Sequence, residues 1–241
     1  FVIFILLTFL SAQEDQWLNI HAVVGYAVLI LVLFRICWGF FGPKYSLFKD
    51  FPLGKINIKD YLNHIFEEKL KYIGHNPLAS YVMISMFVVA ILAIITGALA
   101  FGIQEGKGIL SSWNSTFFKE MELFKGIHEI FSTLFLVLIV AHIAGVLSDR
   151  LLHKKHETLN SIITGYKITN DNESVKLNIF QKIFAFFMFI LFIGFLLFNF
   201  YKPNNILVSS IYKPIDYQTQ NEVFVNECAS CHTLYPSHAF A

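Results

Sequence analysis

Residues 125–148 read KGIHEIFSTLFLVLIVAHIAGVLS, and this stretch decides the fold of the chain. It is long and apolar enough for one helix to cross a bilayer, which takes about 20 predominantly apolar residues. It also holds two histidines, His128 and His142, spaced 14 residues apart. A helix rises about 21 Å over that spacing and returns to within about 40° of the same face. One membrane helix is therefore predicted to present two imidazoles to its neighbours, one near each membrane surface.

Three further apolar runs reach or approach the same length, at residues 20–41, 77–103 and 179–200. The composition agrees, because 56% of the 241 residues are apolar and only 15% are charged, which is far from a soluble domain. The segment Phe1–Leu10 is too short to span alone. We interpret it as the second half of a first spanning helix, the alternative being the core of a signal peptide. The sequence thus predicts an all-α integral membrane protein, with a four-helix transmembrane bundle followed by a fifth transmembrane helix.

Lysine and arginine are distributed unevenly among the loops. Residues 43–76 and 149–178 together contain eleven of them, whereas residues 104–124 and the tail 201–241 contain four. Cytoplasmic loops carry the excess of positive charge, so the two basic loops are predicted to face the cytoplasm and the tail the opposite side. The net charge of +1 says nothing about nucleic acid, but the sequence contains no basic, aromatic-interleaved patch, so no nucleic-acid partner is predicted.

The tail contains the motif Cys228-Ala229-Ser230-Cys231-His232, which is the C-x-x-C-H pattern of c-type haem attachment. The two thiols can each add to a vinyl group of one porphyrin, and His232 can then bind the iron as an axial ligand. The other axial ligand is predicted to be His238 or a residue beyond Ala241. A zinc knuckle would need more ligands nearby, and a redox dithiol would need a βαβ context; a disulfide is the remaining alternative.

Ionisable residues at membrane depth are costly and are usually functional. His21 opens the second span and His128 opens the fourth span at the same predicted surface, so these two can bind one iron from opposite faces. His142 lies toward the other surface, and its expected partner lies in the first helix, upstream of Phe1. The alternative for each histidine is a hydrogen bond between helices.

These histidines predict two non-covalent b haems stacked between the helices. Gly25 and Gly145, about one turn after His21 and His142, would leave room for the porphyrin planes. The alternative is an ordinary helix interface, where glycine is also common in membranes.

Two polar residues fall near the predicted cytoplasmic surface. Arg35 lies in the second span near the depth of His142, and its charge needs a partner. That partner is a haem propionate, a quinone oxygen or, by snorkelling, a lipid phosphate. His75, in Gly74-His75-Asn76-Pro77 at the start of the third span, lies where a quinone head group can bind.

Four short stretches accompany the His128/His142 pair: WLNIH (17–21), FRICWG (34–39), GHNP (74–77) and IITGYK (162–167). With that pair, they resemble the bacterial cytochrome b561 family, in particular the branch with the b-type subunits of nickel–iron hydrogenases. The resemblance covers residues 1–168. It implies a four-helix cytochrome b domain with two b haems in the bacterial cytoplasmic (inner) membrane. Residues 169–200 are then a linker and the fifth helix. Residues 201–241 form a periplasmic segment that resembles the start of small dihaem cytochrome c domains, so a second c haem stays open.

The predicted function is electron transfer between membrane quinone and a periplasmic cytochrome or redox enzyme, alone or within a larger respiratory complex. Ligation by two histidines leaves the b irons no open position, which suits electron transfer over oxygen chemistry. No catalytic acid, base or nucleophile is predicted. The alternatives are a superoxide:quinone oxidoreductase, the membrane anchor of a hydrogenase-like complex, and a haem-based sensor.

Overall fold

The computed structural model describes residues 1–66, 74–152, 161–162, 164–166, 174–212 and 226 of the chain. The predicted haem c site lies outside these residues, with Cys228, Cys231, His232 and His238. The described part is helical almost throughout. Its α-helices are α1 (Val2–Ser11), α2 (Leu18–Phe41), α3 (Lys55–Asn63), α4 (Pro77–Leu99), α5 (Thr116–Met121), α6 (Leu123–Leu152) and α7 (Ile179–Tyr201).

Four helical segments are long and apolar enough to cross a membrane: Asp15–Phe41, Pro77–Gln104, Leu123–Leu152 and Ile179–Tyr201. The predicted multi-pass helical architecture is therefore confirmed for these four spans. Helix α1 is equally apolar but has only 10 residues, so its part in the predicted first span stays a prediction.

Two of the spanning helices, α4 and α7, begin at polar caps that the sequence supplies. Asn76 Oδ1 accepts a hydrogen bond from Ala79 N at 2.8 Å, and Pro77 takes the first helical position of α4. Asn178 and Gln181 form a capping box at the start of α7. Gln181 also donates to the carbonyl of Phe41 at 2.8 Å, which joins the start of α7 to the end of α2.

The core forms where α2, α4 and α6 meet. It contains Val28, Val32, Val89, Ala90 and Phe135. The small side chains among them let the helices approach closely, as is usual in membrane bundles. Helix α1 adds partly buried apolar side chains to the same core: Phe4, Ile5 and Phe9.

Helix α7 packs on the outside of this bundle through aromatic rings. The ring of Phe184 stacks on Phe34 and Trp38 of α2, with ring centres 6.0 and 6.5 Å apart. Phe192 meets Phe4 of α1 edge-on at 5.1 Å. Many of its remaining large apolar side chains are exposed, as expected of a helix that faces lipid.

A cap formed by residues 101–114 and 205–212 covers the end of the bundle where α4 ends and α6 begins. Gly108 N donates to Ser209 O and Ile211 N donates to Gly106 O, both at 2.9 Å. Gly106 and Gly108 have φ of 62° and 70°, a backbone conformation that favours glycine. The Tyr212 hydroxyl closes the cap by donating to Asn114 Oδ1 at 2.8 Å.

Candidate haem-binding sites

His21 and His128 meet near the first turns of α2 and α6, at the capped end of the bundle. Their ring centres are 6.0 Å apart and their planes cross at 82°. Two imidazoles that bind one metal ion between them through nitrogen bonds of about 2 Å have ring centres about 6 Å apart. The separation of the two rings therefore fits a shared metal ion.

Backbone carbonyls fix which nitrogen of each ring carries the hydrogen. His21 Nδ1 lies 2.9 Å from Thr8 O of α1, and His128 Nδ1 lies 2.8 Å from Ala93 O of α4. A carbonyl only accepts hydrogen bonds, so each Nδ1 must donate, and each Nε2 is then the unprotonated nitrogen. The hydroxyl of Ser132 lies 3.4 Å from Nε2 of His128 and can donate to it. A donating Nδ1 is the usual arrangement behind a histidine that binds a metal through its other nitrogen.

The donor set matches a metal that brings its own equatorial ligands. Among the described residues, no group of three or more His, Cys, Asp and Glu side chains could hold a bare metal ion. Two axial histidines are sufficient for the iron of a porphyrin, whose four nitrogens supply the remaining bonds. The pair His21–His128 therefore fits a haem better than an isolated metal ion.

Two features near the pair are consistent with this fit. The position that a Cβ atom would take at Gly25, one turn after His21, has no neighbouring atom within 4 Å, so open space adjoins α2 there. Asn19, two residues before His21, has a buried Oδ1 atom without a hydrogen-bond partner among the residues that the structure describes. Buried amides are normally paired, so the Asn19 side chain is suited to a polar group that enters this space.

His142 follows His128 by 14 residues on α6 and is partly buried. It is therefore on nearly the same face, toward the opposite end of the bundle. Helix α1, whose sequence is VIFILLTFLS, contains no histidine that could face it. The expected partner upstream of Phe1 stays a prediction.

Arg35 is partly buried and lies beside two aromatic rings. Its guanidinium carbon is 5.6 Å from the ring centres of both Phe48 and Phe87. It donates to Ser46 O at 3.3 Å and approaches Met83 Sδ at 3.9 Å. None of the acidic side chains in the described part forms an ion pair with Arg35.

His75 and Arg35 contact the same short aromatic segment. The ring of His75 lies 4.7 Å from Phe51, Phe51 lies 5.6 Å from Phe48, and Phe48 in turn lies beside Arg35. The loop after α2 thus packs against the end of α2 and the start of α4, and its aromatic rings connect Arg35 with His75. We name Arg35, Phe48, Phe51 and His75 the aromatic–cation cluster.

The family described as prokaryotic cytochrome b561 matches residues 1–165 of the chain. The chain belongs to this family. A curated relative, the probable Ni/Fe-hydrogenase B-type cytochrome subunit of Rhizobium leguminosarum bv. viciae, is 24% identical over 170 residues, which cover 64% of this chain and 70% of that protein. No solved structure matches.

This cytochrome b561 is thus a transmembrane b-type cytochrome of electron transfer, and its cofactor is haem b. The family resemblance read from the sequence is confirmed. Four further points are proposals: the ligand assignments, the number of haems, the haem c and the quinone.

Sequence reasoning missed the groups that hold the two histidines in place. These groups are the carbonyls of Thr8 and Ala93 and the glycine at position 97, whose absent side chain gives room to the ring of His128. Only Asn19, a polar residue at the start of an apolar span, gave a signal that could have been read. Which backbone carbonyl contacts a histidine ring cannot be recognised from a sequence pattern.

Proposed function

We propose that this cytochrome b561 passes electrons across the membrane between a quinone and a periplasmic redox partner, through two b haems and a c haem. The observation that carries the proposal is the His21–His128 pair, whose rings lie 6.0 Å apart with both Nδ1 atoms hydrogen-bonded to carbonyls. Such a pair suits an iron that changes its oxidation state without changing its ligands.

The two b haems are proposed to lie at different depths. His21 and His128 bind the outer one, at the capped end. His142 and a histidine upstream of Phe1 bind the inner one. The 14-residue spacing between His128 and His142 supports two levels about 21 Å apart along α6. A bound haem supplies a reversible one-electron centre, and the surrounding residues hold it and keep water from the iron.

The quinone is proposed to bind at the aromatic–cation cluster. The rings of Phe48 and Phe51 offer an apolar wall for a quinone ring, and the Arg35 guanidinium can donate to a quinone oxygen. The imidazole nitrogens of His75 can hydrogen-bond to a quinone or quinol oxygen. The basic loops on this side are expected to face the cytoplasm.

The periplasmic end of the path is proposed to be a haem c bound by Cys228, Cys231 and His232. His238 or a residue beyond Ala241 completes its coordination. The C-x-x-C-H spacing and the low Lys and Arg content of residues 201–241 support this assignment independently of each other. The partner is then a periplasmic cytochrome or redox enzyme.

A second candidate function is that of a membrane subunit in a hydrogenase-like complex. The printed name of the curated relative favours it, since that protein is a probable Ni/Fe-hydrogenase B-type cytochrome subunit. The two candidates share the haem b path and differ in the partner at the periplasmic surface. Co-purification of the full-length chain with a second redox protein would favour the subunit.

The proposal is tested with the full-length protein in liposomes that enclose ferricyanide. A short-chain quinol added outside should reduce the b haems, and the trapped ferricyanide should be consumed at a rate well above that of empty liposomes. The His128→Ala protein should lose this transfer. If quinol leaves the b haems of the wild-type protein oxidised, the proposed quinone link is wrong.

A further inference from the structure

The ring of His128 packs on α4, a helix without a histidine in its sequence. Ala93 and Gly97 of α4 are four residues apart, so they lie on one face in successive turns. His128 Nδ1 hydrogen-bonds to Ala93 O at 2.8 Å, and the edge of the same ring faces Gly97. Helix α4 therefore contacts the ring at two points.

Gly97 leaves no room for a side chain. A Cβ atom built there would lie 2.9 Å from Cε1, 3.0 Å from Nδ1 and 3.6 Å from Nε2 of His128. Carbon atoms in favourable contact are about 3.5–4.0 Å apart, so even a methyl group would push the ring away from α4. The absent side chain at position 97 is thus what allows the 2.8 Å hydrogen bond between His128 and Ala93.

That hydrogen bond bears on the chemistry of a bound iron. A ligand histidine whose N–H donates to a carbonyl is held in one tautomer and one orientation, and it becomes a more basic ligand. A more basic ligand favours the ferric over the ferrous state, because the ferric iron carries more positive charge. A longer hydrogen bond between His128 and the Ala93 carbonyl would therefore raise the reduction potential of the haem.

A neighbouring hydroxyl competes for the same carbonyl. Thr96 Oγ1 lies 2.8 Å from Leu92 O and 3.0 Å from Ala93 O, and its single hydrogen can bond to only one of them at a time. Removing the hydroxyl would leave the Ala93 carbonyl as a better acceptor for His128.

We propose that Gly97, together with the Ala93 carbonyl, is a positioning residue of the outer haem site, which sets the tilt of the His128 ring and the potential of the outer b haem. The inference rests on the proposed ligation by His128. It does not depend on the quinone, the haem c or the direction of electron flow.

The test is a redox titration of the full-length membrane protein without quinone, followed by low-temperature electron paramagnetic resonance of the ferric haems. Gly97→Ala should shift one b haem to a higher potential by about 59 mV, which is a tenfold change in its reduced-to-oxidised ratio. The low-spin ferric signal of the same haem should move, and the other haem should keep its values.

Gly194→Ala is the matched control, because a Cβ atom at position 194 of α7 meets no neighbour within 4 Å. It should leave both haems unchanged. Thr96→Val retains the side-chain shape and should shift the outer haem to a lower potential, opposite to Gly97→Ala. This second variant keeps the test open if the Gly97→Ala protein does not assemble.

His128→Ala separates the two ways in which the inference can fail. If that variant retains both b haems, the ligation by His128 is wrong and the positioning role of Gly97 falls with it. If it loses one haem while Thr96→Val and an assembled Gly97→Ala protein titrate like the wild type, Gly97 has no positioning role. Neither result bears on whether quinol is the reductant.

Discussion

Arg35 follows His21 by 14 residues on α2, so the two side chains lie about 21 Å apart along the axis and within about 40° of one face. His128 and His142 repeat this spacing on α6. The two helices therefore place chemically active side chains at two levels of the bundle. Substitutions at one level should leave the other intact, and this separation makes the proposals testable one by one.

His21→Ala and His128→Ala should each remove the outer b haem and leave the inner one, because each deletes one axial ligand. His142→Ala should do the reverse. Haem extraction should then give about half of the wild-type b haem per chain, and a redox titration should show which centre remains. His64→Ala, at an exposed position after α3, is the control and should retain both haems. Equal loss of both centres in all three variants would indicate collapse of the bundle and contradict the pairing.

Replacing Cys228 and Cys231 together by Ser should abolish covalent haem, because the thioether bonds cannot form. Haem staining after denaturing electrophoresis measures this directly, since b haems dissociate and c haems stay with the chain. Cys37→Ser, which removes the partly buried cysteine of α2, should leave the stain unchanged. A stain that persists in the double variant would contradict the attachment site.

Arg35→Leu should slow the reduction of the b haems by quinol about tenfold, which corresponds to the loss of about 1.4 kcal/mol of transition-state stabilisation. The reason is the loss of the donor to a quinone oxygen in the aromatic–cation cluster. Stopped-flow absorbance of the haem bands is the measurement, and dithionite should still reduce every haem. Arg150→Leu removes an exposed arginine near the end of α6 and should have no such effect. Equal rates in the Arg35→Leu and wild-type proteins would move the quinone elsewhere.

Gly108→Ala should destabilise the cap by about 1–3 kcal/mol, since alanine is strained at a φ of 70°. Its Cβ atom would also lie 2.8 Å from Leu207 O. Hydrogen exchange should report faster opening of the amides of Gly108 and Ile211. Gly165→Ala has a similar positive φ, meets no neighbour within 4 Å and lies outside the cap, so it should leave exchange at the cap unchanged. If exchange at the cap is unchanged in Gly108→Ala, the contacts between residues 106–108 and 209–211 do not hold the cap together.

The spans and the family could be predicted from the sequence because both depend on features written along the chain. Apolar length identifies a membrane helix without knowledge of its neighbours, and a fixed rise per residue gives the relative depths of His128 and His142. The short helices α3 and α5 and the cap could not be predicted in this way. They lie outside the apolar runs and depend on contacts with segments that are distant in sequence.

The groups that position the histidines could not be predicted from the sequence either. Which carbonyl meets His128 depends on the rotation of α4 and on its distance from α6, and neither is encoded in a local pattern. Sequence reasoning singled out Gly25 and Gly145 because each follows a histidine by about one turn. The glycine that contacts a histidine ring is instead Gly97, on a different helix.

The cap has a consequence for how the molecule is made. Its two halves, residues 101–114 and 205–212, are separated by α6 and α7, whereas the loop at the Arg35 end closes on helices that precede and follow it directly. Chains fold from the N-terminus as they are synthesised, and contacts between distant segments form late. The aromatic–cation cluster can thus be complete while α7 is still in the ribosome. The capped end, next to His21 and His128, cannot be completed until α7 and residues 205–212 have been synthesised, so the end of the bundle that carries these two histidines closes last.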